Sequence, residues 1–134
     1  MADAFLLEIA TPERLLIRER VSEAQIPARN GYIGVLPDHA PLLSELATGE
    51  LAYVAEGRRR RLVVDGGWVE VLADSVRVLA NVAEKADDID VKRAEVALLR
   101  ARNRLDHPDV ALDVVRALNA MKRAQARLEA AKGK

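Results

Sequence analysis

Residues 84–94, EKADDIDVKRA, mark the point at which the sequence pattern of this 134-residue chain changes its period. Before Glu84, apolar and polar residues alternate, as in a strand with one buried face. After Asp90, apolar residues recur at steps of three and four, which is the period of an amphipathic helix. We therefore expect two structural parts, with residues 85–89 as the junction between them.

The alternation before the junction predicts several short strands. The apolar positions that share a face are Phe5, Leu7 and Ile9; Leu15 and Ile17; Ala24 and Ile26; Val69 and Val71; and Val76 and Val78. Turn signals such as Asn30-Gly31, Glu56-Gly57 and Asp65-Gly66-Gly67 separate these runs. Many short strands at this spacing favour an all-β sandwich or barrel. We predict an antiparallel β-sandwich over residues 1–84.

The pattern after the junction predicts two helices in residues 90–134. Their apolar stripes are Val91, Ala94, Leu98, Ala101 and Leu105, then Val110, Val114, Leu118, Met121 and Leu128. Asp90 is suited to cap the first helix, and Pro108 or Asp109 to begin the second. Because the connection is short, we expect an antiparallel two-helix hairpin.

Composition excludes several classes of function. The 21 basic residues equal the 21 acidic ones, which argues against a nucleic-acid binder. There is no cysteine, and the two histidines stand in no metal-ligand or catalytic motif, so we predict no metal site and no catalytic residue. No signal peptide or membrane-spanning run is apparent, so we expect membrane association only through partners.

Five charged residues of the helical part converge if the hairpin folds about Pro108. Arg93 and Arg123 are then level, since each lies fifteen residues from the fold, and Asp90 lies nearly level with Arg127. Arg100 lies roughly 10 Å further along the helix axis. Arginine forks suit phosphate oxygens, which favours a nucleotide site. The alternative is chance alignment, because a chain with 16 arginines brings some together in any fold.

Three motifs resemble the epsilon subunits of bacterial-type F-type ATP synthases. They are GYIGVLPDHAPLL at 31–43, GGWVEV at 66–71 and IDVKRA at 89–94, in the family's order and spacing. The resemblance implies a non-catalytic rotor subunit in which the β-sandwich contacts the gamma subunit and the c-ring. It also implies a hairpin that folds on the sandwich or extends into the alpha/beta catalytic head, where it inhibits ATP hydrolysis. The implied location is peripheral, on the cytoplasmic face of the cell inner membrane.

The same resemblance implies a regulatory ATP site in the folded hairpin. The matching positions are Glu84, Ile89, Asp90, Arg93, Ala94, Arg100, Arg123 and Arg127. No cofactor is required, and ATP is expected only as a ligand that favours one of two conformations. Hydrolysis is not expected, because the chain has no GxxxxGK[ST] phosphate loop. A stand-alone nucleotide-sensing module and a small hydrolase are the alternatives from other classes.

The resemblance also implies that the loop with Tyr32 and His39 contacts the c-ring. Members of the family often have Glu where this chain has Tyr32, so a contact there would depend on packing or a hydrogen bond of Tyr32 rather than on charge. A purely structural role for His39 is to fix the turn at 37–41. We expect Arg58–Arg61 to form a solvated hairpin tip and edge strand, and Trp68 to fill the core or its seam with the hairpin.

Overall fold

A computed structural model describes residues 3–107 and 113–132, in which eight strands precede two helices. The strands are β1 (Phe5–Ala10), β2 (Leu15–Val21), β3 (Glu23–Ala28), β4 (Gly31–Val35), β5 (Leu42–Glu45), β6 (Gly49–Ala55), β7 (Arg58–Val71) and β8 (Ser75–Lys85). A short 3₁₀ helix (Ala86–Asp88) leads into α1 (Val91–Asp106) and α2 (Val114–Lys132). The predicted fold class, a β-sandwich followed by a helical hairpin, is confirmed.

The strands pair in the order β2-β1-β8-β7-β6-β3-β4, and β5 pairs with part of β7. Every pair is antiparallel except β1 with β8, which is parallel. Alternation of apolar residues specifies which face of a strand is buried but not the direction of its neighbour, so the sequence pattern did not show this pair. The sheet closes into two layers, with β2 packed against β6.

Strand β7 passes through Asp65-Gly66-Gly67, where we predicted a turn between strands. Up to Val64 it pairs with β6, and from Trp68 it pairs with β5. Both glycines have positive φ angles, 69° and 117°. A Cβ atom on Gly67 would collide with the carbonyl oxygen of Leu79. The glycines therefore let one strand change partners and serve both layers.

The core lies between the two layers and includes most of the residues that alternation predicts. Phe5, Leu7 and Ile9 are almost completely buried. Leu15 is 52% exposed, contrary to prediction. The register shifts there, because Ile9 faces Ile17 whereas Ala10 faces Leu15.

Trp68 is 50% exposed, so the prediction that it fills the core or the seam is wrong. Its neighbour Val69 is fully buried. Because successive side chains of a strand point to opposite faces, Trp68 must point outward.

The hairpin lies folded on the sandwich. The predicted cap is confirmed, since Asp90 Oδ1 accepts a hydrogen bond from the Arg93 backbone nitrogen at 3.1 Å. The predicted start of the second helix, Pro108 or Asp109, lies outside the described residues. The described helix begins at Val114, and Asp113 Oδ1 accepts a hydrogen bond from the Arg116 backbone nitrogen at 3.0 Å.

Alanines form the buried positions of the hairpin, rather than the larger residues of the predicted stripes. In α1 only Ala94 and Ala101 are buried, and in α2 the buried residues are Ala117, Ala124 and Ala130. Small side chains allow the two helices to approach closely, so the larger apolar residues remain at the rim. Helix α2 contacts β6 and β7, and α1 packs on α2.

Candidate functional site

A small apolar patch joins α2 to the sandwich. It consists of Val63 on β7, Ala86 and Ile89 in the junction, and Ala130 on α2, and we call these four residues the docking patch. All four are buried, with Ala130 completely so. Their cluster is separate from the sandwich core. The hairpin therefore has its own contact surface, which leaves the core of the sandwich closed.

Two ion pairs flank the docking patch. Arg127 Nε donates to Glu84 Oε2 at 3.4 Å, and Arg123 Nε lies 3.9 Å from Asp65 Oδ2. Glu84 faces Val63 across the β7–β8 pair, which places the carboxylate beside the patch. The four side chains are 27–36% exposed, so solvent screens both pairs in part.

A cavity of about 460 Å³ opens between α1, the junction and α2. Six of the eight residues predicted for an ATP site line it, namely Glu84, Asp90, Arg93, Ala94, Arg100 and Arg127. Ile89 instead lies in the docking patch, and Arg123 points to Asp65. A larger groove of about 680 Å³ between the helices is lined by none of the eight. The smaller cavity is therefore the candidate site.

Sequence reasoning missed three residues that line the cavity. Val96 and Ala97 lie three and four positions after Arg93, so helical spacing was a signal that places them on the same face. Asp88 lies in the 3₁₀ helix of the junction, for which no helical or strand pattern was available.

The chemistry of the cavity follows from its charged groups. The guanidinium groups of Arg93, Arg100 and Arg127 suit phosphate oxygens. The carboxylates of Glu84, Asp88 and Asp90 suit hydrogen-bond donors such as amino or hydroxyl groups. The lining thus fits a ligand that has both phosphates and polar donors.

Tyr32 and His39, the two residues proposed for a ring contact, have separate surroundings. Tyr32 is 61% exposed, with its hydroxyl beside Gly49. Partial burial of the phenol is the main cause that raises the pKa of Tyr32. A hydrogen bond with the Glu50 backbone opposes the rise, and the Glu50 carboxylate adds to it. His39 Nδ1 lies 2.7 Å from the carbonyl oxygen of Ala40, which fits a local role in the turn.

The arginine run forms a solvated hairpin tip and an edge of the sheet, as predicted, since β8 pairs with β7 only from Leu62 onward. Arg58–Arg61 pair with β6 along one side, and the first three of them are exposed. Arg61 Nη1 lies 3.3 Å from Glu50 Oε1. In residues 3–107 and 113–132, no group of three or more histidine or acidic side chains is arranged to hold a metal ion. The helices described are also too short or too polar to cross a membrane.

Comparison with known proteins identifies the family. The family model described as "ATP synthase, Delta/Epsilon chain, beta-sandwich domain" matches residues 4–86. The ATP synthase epsilon chain of Solibacter usitatus is 52% identical over 131 residues, which is 98% of each chain. This chain belongs to the ATP synthase epsilon family. Membership makes it a non-catalytic subunit of an ATP synthase.

A further member of the family and one solved structure agree with this assignment, and a second solved structure shares the fold. The epsilon chain of Syntrophobacter fumaroxidans is 44% identical over 98% of each chain. A chain in the cryo-EM structure of Euglena gracilis mitochondrial ATP synthase superimposes with a TM-score of 0.85 and 27% identity, covering 98% of this chain and 83% of that chain. A chain of the Tetrahymena thermophila mitochondrial enzyme, at TM-score 0.55 and 15% identity, covers 96% of this chain and 94% of that chain and shares the fold.

Proposed function

We propose that the chain is a rotor subunit of the central stalk that restrains ATP hydrolysis through its C-terminal hairpin. In this proposal the sandwich transmits rotation between the membrane ring and the catalytic head, and the hairpin is a reversible arm. The observation that carries the proposal is the way in which the hairpin attaches. It docks mainly through α2, on a small apolar patch outside a closed sandwich core.

The contacts that make this attachment fit a reversible arm. A partly exposed ion pair contributes about 0–1 kcal/mol, so the pairs of Arg123 and Arg127 together stabilise docking only modestly. The docking patch adds the burial of Val63, Ile89 and two alanines. A conformational switch usually requires two packings of one hairpin whose free energies differ by only a few kcal/mol.

ATP is the proposed ligand of the cavity. Arg93, Arg100 and Arg127 would bind the phosphates, and the Asp90 carboxylate is within the same cavity to accept from polar groups of the ligand. Glu84 belongs to the sandwich and the arginines belong to the hairpin, so a ligand that fills the cavity contacts both parts. Such a ligand favours the folded conformation by its differential affinity for it.

Calorimetric titration of the isolated chain with millimolar ATP tests this site. We expect binding by the wild type and at least about a tenfold loss of affinity in Arg93→Ala, because charge-assisted hydrogen bonds to phosphate contribute roughly 1.5–3 kcal/mol. Arg102→Ala is the matched control, since Arg102 is on the same helix but lines the larger groove. The absence of heat from the wild type would refute the ATP site.

The loop around His39 is the proposed contact with the membrane ring. The amide of Asp38 donates to the carbonyl oxygen of Ala73, which fixes this loop beside the β7–β8 turn. Exposed leucines occur in both segments, namely Leu36, Leu42, Leu43 and Leu72. An apolar rim of this kind suits a protein partner. We propose that this contact and a contact with gamma hold the chain at the cytoplasmic face of the inner membrane, as a peripheral subunit.

Deletion of residues 90–134 tests the inhibitory role. The sandwich core does not include any hairpin residue, so the shortened chain should fold as an all-β domain. In the assembled synthase, we expect this deletion to raise the rate of ATP hydrolysis. An unchanged rate in a complex that retains the shortened chain would contradict inhibition by the hairpin.

A further inference from the structure

Two arginines one helical turn apart on α2 have different surroundings. Arg127 lines the cavity and pairs with Glu84, which also lines it. Arg123 is not part of the cavity lining and lies 3.9 Å from Asp65 on β7. The Thr48 hydroxyl donates a hydrogen bond to the other oxygen of the Asp65 carboxylate, so the carboxylate is held in place from the sheet side.

The position of Arg123 matters because the charges of the cavity are balanced. Its lining has three arginines, and it has three carboxylates, on Glu84, Asp88 and Asp90. A nucleoside triphosphate brings several negative charges, which a site without net positive charge attracts poorly. If Arg123 turned from Asp65 toward the cavity, the site would have one more positive charge than negative.

We propose that Asp65 lowers the affinity of the proposed nucleotide site by holding Arg123 outside it. The inference rests on the proposed function, since it concerns the same site. Nucleotide binding then competes with the Arg123–Asp65 ion pair. The side chains of the pair are 27–36% exposed, so solvent partly screens their attraction and a phosphate group can compete for Arg123. Asp65 is thus a positioning residue that acts through Arg123, and the ligand class is a nucleoside triphosphate.

The Asp65→Asn variant tests the inference. Asparagine has the same shape, and its side-chain oxygen still accepts from Thr48, so the fold should be retained. We expect the variant to bind ATP about threefold to fivefold more tightly than the wild type in calorimetric titration. A gain in affinity is an outcome that loss of a purely structural residue would not produce.

Glu50→Gln is the matched control. Glu50 lies on β6 opposite Val63 and pairs with Arg61, so the change removes one negative charge nearby without freeing Arg123. We expect its ATP affinity to stay within about twofold of the wild type. A second control combines Asp65→Asn with Arg123→Ala. If Asp65 acts through Arg123, this double variant binds ATP no more tightly than Arg123→Ala alone.

The outcomes separate this inference from the proposed function. If Asp65→Asn binds ATP like the wild type while Arg93→Ala weakens binding as expected, the inference is wrong and the ATP site stands. If the double variant still binds more tightly than Arg123→Ala, Asp65 does not act through Arg123 and the inference is also wrong. If none of the variants binds millimolar ATP, the nucleotide site and the inference fall together.

Discussion

Replacement of Ala130 by leucine tests whether the docking patch holds the hairpin on the sandwich. Ala130 is fully buried and packs with Val63, Ala86 and Ile89. Leucine adds three carbon atoms at a position where α2 meets the sheet. Helix α2 must then move away from β7 or the added side chain must adopt a strained rotamer.

The magnitude follows from the cost of overpacking. Extra methylene groups in a packed interior cost about 1–3 kcal/mol, and each 1.4 kcal/mol changes an equilibrium about tenfold. The cost falls on the docked state alone, because Ala130 does not belong to the sandwich core. We therefore expect the detached fraction of hairpins to rise roughly fivefold to hundredfold in Ala130→Leu.

Energy transfer between a fluorophore on α2 and one on the sandwich measures this fraction. The chain has no cysteine, so two cysteines introduced at exposed positions give specific labelling. We expect lower transfer efficiency in Ala130→Leu at an unchanged far-ultraviolet circular dichroism spectrum. Gln125→Leu is the control, because it adds a leucine at an exposed position of the same helix without a change in charge.

Equal transfer efficiency in the wild type, Gln125→Leu and Ala130→Leu would refute the argument. The contact at Ala130 would then not limit docking, and the ion pairs or the interhelical contact would have to hold the hairpin. A loss of the β-sheet spectrum in Ala130→Leu would also contradict the separation of the two buried clusters.

Three further predictions concern Gly67 in β7, the ion pair between Arg127 and Glu84, and the pKa of Tyr32. Gly67→Ala should lower the free energy of unfolding by roughly 3 kcal/mol or more, as measured by urea denaturation, because it combines a positive φ with a collision against backbone. Gly31 also has a positive φ, but the space around an added Cβ is open, so Gly31→Ala should lower the free energy of unfolding by only about 1–2 kcal/mol. Equal losses of stability in Gly31→Ala and Gly67→Ala would rule out the collision as a cause. Molar salt should increase the detached fraction of the wild-type hairpin, because it screens the pair between Arg127 and Glu84. The effect should be smaller in Arg127→Ala, which lacks this pair. Identical salt dependence in both proteins would show that the pair does not contribute to docking. Partial burial raises the pKa of Tyr32 above its ordinary value of 10.0. The protonated phenol therefore contributes fully to stability below pH 10.0, and this contribution is lost as the pH rises through the folded-state pKa. Tyr32→Phe should reduce the alkaline loss of stability, and an unchanged alkaline unfolding curve would contradict this.

Several features of the fold could be predicted from local sequence. The period changes at residues 84–94, where the last strand ends and the first helix begins, because each secondary structure has its own spacing of buried positions. Asp90 was recognisable as a helix cap from its place before the first helical stripe. Glycine pairs were recognisable as special backbone positions, although Asp65-Gly66-Gly67 lies within a strand rather than ending it.

Other features depended on contacts between distant segments. The outward orientation of Trp68 and the exposure of Leu15 follow from register and strand pairing, which a hydrophobic side chain does not specify by itself. The parallel pairing of β1 with β8 likewise joins the two ends of the sandwich. Alanines became the buried positions of the hairpin because two helices and a sheet had to approach closely there.

The sequence by itself determined the family, the order of elements and the spacing of arginines along the helices, because motifs, periodicity and helix geometry are local properties. Only the tertiary structure decided which carboxylate each arginine meets. Arg127 reached Glu84 and the cavity, whereas Arg123 reached Asp65 on β7. Helix geometry determines the face on which a residue lies. The partner of a long, flexible charged side chain depends on which surface packs against that face.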